Sequence, residues 1–297
     1  MRVLITGAEG QLGRELCALL QGGGTPAPFR DAEVIAAGKA ALDVTSREQT
    51  RRTALTVKPD VIFHCAAKTD VDACEGDSKH AFAVNWEGAQ NIAAAAELIQ
   101  AKLLLFSTDY VFSGENAAPY REEDECFPLN EYGKSKRAGE LAALKSCSRA
   151  FVVRTSWLYG KYGGNFVTKI INQAKAGGTI RVVDDQTGSP TWARGLAFNS
   201  LYLAATQRYG VYHCAGGGEC SRYAFAQEIL RLCGLSCEAL PCKSGIWGAA
   251  ARPPYSALCC DKISQVPGVT LIPWRQELRQ FLSESTVKGE FDGPVSI

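Results

Sequence analysis

The stretch RVLITGAEGQLG, residues 2–13, constrains this chain more than any other. An apolar run ends at Gly7, glycines follow at Gly10 and Gly13, and an amphipathic pattern begins at once. Strand, tight turn and helix in that order make a phosphate-binding unit. The turn needs glycine, a backbone without Cβ lets a pyrophosphate approach, and the helix N-terminus presents unpaired N–H groups. The spacing G-x-x-G-x-x-G is one residue longer than the usual dinucleotide fingerprint, but the physical requirement is unchanged. Gly7, Gly10, Gln11, Leu12 and Gly13 are therefore candidate cofactor contacts.

The first half of the chain keeps to that pattern. Strand-like runs at 2–7, 33–37, 60–66, 102–108 and 150–156 alternate with amphipathic segments near 11–21, 46–57, 78–98 and 132–146. Such alternation predicts an α/β fold, a Rossmann-type doubly wound parallel sheet. Ser46 with Gln49 has the form of a capping box opening the second helix. After Trp157 the rhythm loosens: helices are expected near 163–177, 193–207, 221–233 and 274–284, with a strand and loop over 179–191 and a strand near 210–215. We expect residues 1–156 to form a dinucleotide-binding domain to whose sheet later strands return. Residues 157–297 are expected to be mainly a smaller substrate-binding α/β region.

Composition narrows the partners. With 32 Lys+Arg against 31 Asp+Glu, the chain offers no electrostatic footprint for nucleic acid or an anionic membrane. The N-terminus meets glycine too early for a signal peptide, and no apolar run reaches the ~18 residues of a spanning helix. The expected location is cytoplasmic. Twelve cysteines without a C-x-x-C fit free thiols in a reducing compartment better than a zinc site at Cys220, Cys233, Cys237 and Cys242.

The second strand ends in Gly38-Lys39. A carboxylate there would select the 2′-OH of NAD, whereas Lys39 tolerates a 2′-phosphate, so NADPH is expected with NADH possible. Asp43 and Val44 suit the adenine edge, or Asp43 is a helix cap upstream of Ser46; both readings stand.

The fourth strand ends in FSTDYVF, and YGKSK follows at 132–136. Thr108 at the carboxyl edge of a parallel sheet faces the ligand crevice. Tyr132 and Lys136 lie one helical turn apart on one face. A hydroxyl to hold a carbonyl oxygen, a phenol to protonate it and a lysine to lower the phenol and grip the nicotinamide ribose together describe carbonyl reduction. The plain alternative is a surface Tyr and Lys beside a strand-end Ser-Thr.

TGAEGQLG, STDYVF, YGKSK and RTSWLYG together resemble the extended short-chain dehydrogenase/reductase family, and AAKTDVDACE, DDQTGSPT, GVYHCAGGG and ARPPYSAL extend the resemblance over nearly the whole chain. It implies reduction of the 4-keto group of dTDP-4-dehydro-6-deoxy-L-mannose to dTDP-L-rhamnose, with Thr108, Tyr132 and Lys136 at the catalytic positions. It further implies Ala66 and Ala67 against the cofactor. Thr69, Val71, Asp109, Tyr110, Trp157 and Asn165 would lie around the dTDP-sugar, with Trp157 otherwise a core residue; Arg252, whose fork of N–H donors suits phosphate oxygens, is a candidate for the diphosphate or else a surface arginine after a loop. A 4,6-dehydratase of the family carries Thr-Asp-Glu at the strand end, and Tyr110 departs from that. Epimerases, other 4-ketoreductases and a non-catalytic subunit like the β subunit of methionine adenosyltransferase are the alternatives. Some relatives resemble Mg²⁺-linked dimers; Glu15 and Glu284 match two carboxylates, but Arg194 stands at the third. No metal is expected, and the chain is expected to be a monomer or homodimer.

Overall fold

A computed structural model describes residues 1–245 and 250–286; residues 246–249 and 287–297, part of the expected C-terminal region, lie outside the described residues. Six parallel strands form the main sheet. In spatial order they are Gly210–His213, Ala150–Thr155, Lys102–Thr108, Val61–His64, Arg2–Thr6 and Glu33–Ala37. The chain order reverses beside Arg2–Thr6, which has the second strand on one side and the third on the other. That reversal opens a crevice at the carboxyl ends of the strands.

Successive strand residues point to opposite faces, and each face fills a separate core. Val3, Ile5, Phe63, Leu104, Phe151 and Val153 pack with Leu12, Leu16, Leu196 and Leu201, from the helices Gln11–Gly22 and Ala193–Ala204. Leu4, Ile62, Leu103, Leu105 and Val152 pack with Ile92, Ala93, Ala96 and Ala143, from Gly88–Leu98 and Glu131–Ser146. Each fully buried Leu, Ile or Phe contributes about 1.5–3 kcal/mol. A third core gathers Tyr159, Ile170, Ile180, Phe225, Ile229, Leu278 and Phe281, where the helices Phe166–Ala176, Arg222–Cys233 and Trp274–Thr286 surround a parallel strand pair, Thr179–Val183 with Glu238–Cys242.

Two local expectations change. The helix expected over 78–98 is interrupted: Ser78–Phe82 passes into a π-helical turn at Ala83–Glu87 before Gly88–Leu98. The capping box is half formed. Ser46 accepts from Gln49 N at 3.2 Å, but the Gln49 side chain accepts from Asp43 N, also 3.2 Å, instead of turning back to Ser46.

The C-terminal helix carries a buried carboxyl, Glu277, which accepts a hydrogen bond from Trp192 N at 3.2 Å. Burial pushes its pKa up to about 7. The folded state therefore keeps a proton that the unfolded chain has already lost, so the group's contribution is full below its ordinary value and disappears as pH rises towards 7. Glu277→Gln keeps an acceptor for Trp192 without the charge. We expect the variant to match the parent in thermal stability near pH 4.5 and to exceed it at pH 8, by on the order of 2 kcal/mol. An equal difference at both pH values would refute this origin.

Candidate active site

The glycine loop sits at the reversal point of the sheet. Gly7 has a φ of +62°, and a Cβ there would lie 2.5 Å from Ala66 N. Only glycine meets both conditions. A Cβ on Gly13 would collide with the Gly7 carbonyl oxygen. Gly10 opens the Gln11–Gly22 helix and contributes no side-chain cap, so the first-turn N–H groups have no side-chain acceptor there. The loop thus has the uncovered donors and missing Cβ atoms that a pyrophosphate requires, and Leu12, buried behind them, anchors the helix in the core.

At the second strand's end Lys39 is exposed, and the Glu9 carboxylate occupies the space a Cβ on Gly38 would need. A carboxylate therefore reaches this point from the glycine loop, which the local sequence 38–39 does not reveal. The Asp43 carboxylate accepts from Thr45 N (3.0 Å) and Thr45 Oγ1 (2.7 Å), which hold its pKa below the usual carboxylate range. It orders a turn; the cap of the following helix is Ser46. Val44 is buried beside Gly88. Ala66 and Ala67 follow the third strand in a loop pinned by Asn85, which donates to Lys68 O (2.9 Å) and Ser135 Oγ (3.0 Å) and accepts from Lys68 N (2.8 Å). Asn85 lies in the π-helical turn, a place where such irregularity commonly marks function. Helical periodicity carries no sign of it.

Thr108 ends the fourth strand. Its hydroxyl donates to Asp109 Oδ1 (3.0 Å) and accepts from Tyr110 N (3.2 Å), while Asp109 Oδ2 accepts from Ser256 Oγ at 2.6 Å. Burial pushes Asp109 up to about 6, with Ser256 and Thr108 pulling it back. Tyr132 stands in the first turn of the Glu131–Ser146 helix, which Asn130 caps through Gly133 N (2.8 Å). Gly133 presses against the Tyr110 carbonyl with no room for a Cβ, which brings the Tyr132 ring edge-on to Tyr110, centroids 5.9 Å apart.

Burial pushes the Tyr132 phenol well above its ordinary range, and the nearby Thr108 hydroxyl pulls it back. Lys136 is not among the groups that dominate this shift. Its buried ammonium donates to Phe106 O at 2.6 Å, and burial lowers its pKa to about 8. The expectation that Lys136 holds the phenol down is thus not met by this geometry: desolvation outweighs the cation, which is turned to the fourth strand's main chain.

On the far side, Trp157 has a left-handed backbone, φ +47°, a costly conformation for a bulky residue. Its ring edge lies against Gly188, and the Arg222 guanidinium stacks 3.6 Å over its face. Arg252 donates to Asp72 (2.6 Å) and to Ala250 O (3.2 Å). Thr69 is exposed, and half-buried Val71 begins the short helix Val71–Gly76 that carries Asp72. Asn165 lies apart from this group. It caps Phe166–Ala176 with a complete capping box and donates to Gly160 O (2.8 Å) and Gln11 Oε1 (3.3 Å), beside the glycine loop. Arg222 and Ser256 are the neighbours that sequence reasoning missed, since both arrive from far along the chain.

Glu15, Arg194 and Glu284 do meet, around a cavity of about 210 Å³. There Arg194 Nη1 pairs with Glu284 Oε2 at 2.7 Å, and buried Glu15 has its pKa raised by desolvation, with Arg194 opposing. A guanidinium standing where a third carboxylate would be needed does not fit a divalent cation. Among the described residues no three His, Cys, Asp or Glu side chains gather closely enough to hold a metal, and all twelve cysteines are free thiols. No helix among these residues is long and apolar enough to cross a membrane.

The RmlD substrate binding domain family matches residues 1–287. The spore coat polysaccharide biosynthesis protein SpsK of Bacillus subtilis is 37% identical over 95% of this chain and 97% of its own. A dTDP-4-dehydrorhamnose reductase of Streptomyces griseus is 39% identical (94% and 92%), and a dTDP-4-keto-6-deoxy-D-glucose reductase of Streptomyces niveus 36% (94% and 96%). Among solved structures, the dTDP-4-dehydrorhamnose reductase of Clostridium acetobutylicum superposes with a TM-score of 0.91 at 38% identity, covering 96% of this chain and 100% of that one. The Bacillus anthracis reductase, solved in complex with NADP, gives 0.88 at 39% (95% and 98%). Its chain and this one share the extended short-chain dehydrogenase/reductase fold, as does a dTDP-glucose 4,6-dehydratase at 20% identity.

Proposed function

Because the chain belongs to the RmlD family, we propose that it is an NAD(P)H-dependent dTDP-sugar 4-ketoreductase, and more finely that it converts dTDP-4-dehydro-6-deoxy-L-mannose to dTDP-L-rhamnose. The observation that carries this reading is the meeting of Thr108 and Tyr132 at the carboxyl edge of the sheet, within the crevice that also holds the glycine loop. Gly7, Gly10, Gln11 and Gly13 would hold the dinucleotide's pyrophosphate. Lys136 would take its nicotinamide ribose, and Ala66 and Ala67 would line it. NADPH is the expected form; Lys39 favours its 2′-phosphate and Glu9 opposes it, so use of NADH as well is expected. The bound cofactor supplies a hydride to the carbonyl carbon.

The protein supplies the rest. Tyr132 is protonated throughout the neutral range because burial raises its phenol, so it is a ready proton donor for the carbonyl oxygen. Thr108 orients the oxygen through its hydroxyl. Trp157, with Thr69, Val71, Asp109 and Tyr110, would border the hexulose, and Arg252 the diphosphate. Asn165, pinned to Gln11, would serve as a support for the glycine loop. Dehydration needs a further acid–base group at the strand end, and Tyr110 stands in that place.

The D-sugar reductase and SpsK resemble this chain about as closely as the rhamnose-pathway enzyme does, so the sugar must be tested directly. We expect NADPH absorbance to fall when protein meets the 4-keto-6-deoxy-L-hexose nucleotide, with kcat/KM at least about tenfold above that for the D-epimer, a difference of about 1.4 kcal/mol. A preference for the D-epimer would replace the sugar and leave the reaction class. Tight NADPH binding with no oxidation by either would remove the enzymatic reading and favour a regulatory subunit.

A further inference from the structure

The pocket holds a second arginine with no assigned purpose. Arg222 opens the Arg222–Cys233 helix, and its guanidinium lies 3.6 Å over the Trp157 ring and 5.2 Å from the Phe166 ring centroid. Its charge pulls down the pKa values of both Tyr110 and Asp109. Arg252 acts on Tyr110 as well, and the two guanidinium groups are close enough to repel each other. Arg252 is neutralised by Asp72. Arg222 is not: among the described residues no carboxylate reaches ion-pair distance, and Asp109, whose charge it feels, is committed to Thr108 and Ser256.

Stacking explains how such a cation is kept. Aromatic faces satisfy the planar guanidinium from above and below while its N–H donors, which lie in the plane, stay directed outward. Burial lowers the Arg222 pKa, while Tyr110 and Asp109 pull it back up. Two arginines that repel, both reach the Tyr110 phenol, and have only one ion-paired carboxylate between them, Asp72 on Arg252, are completed by an anion of more than one charge. A planar fork is also the donor set that best matches phosphate oxygens.

We propose that Arg222 is a specificity-determining residue that binds the β-phosphate of a nucleoside diphosphate sugar, working as a pair with Arg252. The face of Trp157 beneath it is consequently a platform for this arginine, and only the opposite face is left for the sugar.

This inference rests on the nucleotide-sugar reading, and calorimetric titration of dTDP and dTMP into the full-length protein separates the two. R222Q is expected to weaken dTDP by about tenfold or more, the scale of a lost charge-assisted hydrogen bond, and dTMP by less than about threefold, with NADPH affinity unchanged. R222K, which keeps the charge and loses the fork, should fall between parent and R222Q. It carries the test if R222Q does not fold. R222Q binding dTDP within about twofold of the parent, or losing dTDP and dTMP equally, overturns the inference alone. A parent that binds neither nucleotide overturns it together with the nucleotide-sugar reading.

Discussion

Tyr132→Phe should lower kcat for 4-keto-sugar reduction by about a thousandfold, within the 10²–10⁴ range of a lost general acid, while leaving the NADPH dissociation constant within about twofold. The substitution removes one oxygen and keeps the ring that packs edge-on against Tyr110. Gly133 and the Asn130 cap, which place the helix, are untouched. A loss confined to kcat at constant cofactor affinity is the signature of a group acting only in the transition state. A variant keeping more than about a tenth of the parent rate would mean that the proton comes from elsewhere, Thr108 or water. Because Tyr132 is raised by burial, its own deprotonation should not limit the rate below pH 9; a falling limb near pH 8 would instead report Lys136, whose pKa lies there.

The second large effect is on stability. Arg154, almost fully buried in the fifth strand, donates from Nε and Nη2 to both carboxylate oxygens of Glu140, each at 2.9 Å. Its remaining donors face Glu122 O, His213 Nε2 and the Cys126 sulfur, and its plane lies 5.1 Å from the Phe112 centroid. Arg137 is a second partner of Glu140. Removing Arg154 leaves a desolvated carboxylate with only the half-exposed Arg137, so Arg154→Met should cost about 3–5 kcal/mol. The thermal midpoint should drop by roughly 10 °C. Adding Glu140→Gln to Arg154→Met should restore much of the loss, since the stranded charge is then gone. A double variant less stable than the single one would show that the pair is valued for its direct attraction and not for avoiding an unpaired charge. Glu140 lies two helical turns after Tyr132, so the pair also fixes the candidate acid's helix to the sheet.

The parallel sheet and its helices were legible because hydrophobic periodicity is local. Val3, Leu4 and Ile5 announce a strand buried on both faces, and Gly7, Gly10 and Gly13 announce the turn after it. The strand Glu238–Cys242 was not legible: Pro241 argues against a strand, and its one partner lies some sixty residues away at Thr179–Val183. The π-helical turn at Ala83–Glu87 was hidden because apolar spacing survives one extra residue. The site divides the same way. Thr108, Tyr132 and Lys136 could be singled out as candidates from spacing, yet the direction of the Lys136 ammonium depends on a carbonyl thirty residues away. Arg222 and Ser256 became visible only once the chain had folded back on itself.

That folding back sets an order of assembly. The glycine loop closes on Ala66, within the first quarter of the chain. The side proposed for the sugar waits for the segment after Ala250: Ala251 receives Asn130, Arg252 reaches Asp72 and Ser256 reaches Asp109, spans of 121, 180 and 147 residues. At a synthesis rate of about 5–20 residues per second, the main sheet, completed by Gly210–His213, precedes Ser256 by roughly two to nine seconds. During translation the main sheet can therefore be complete before the wall expected to face the sugar is made. A dinucleotide present in that interval would act as a folding ligand, stabilising the completed sheet by mass action while the last segment is still being made.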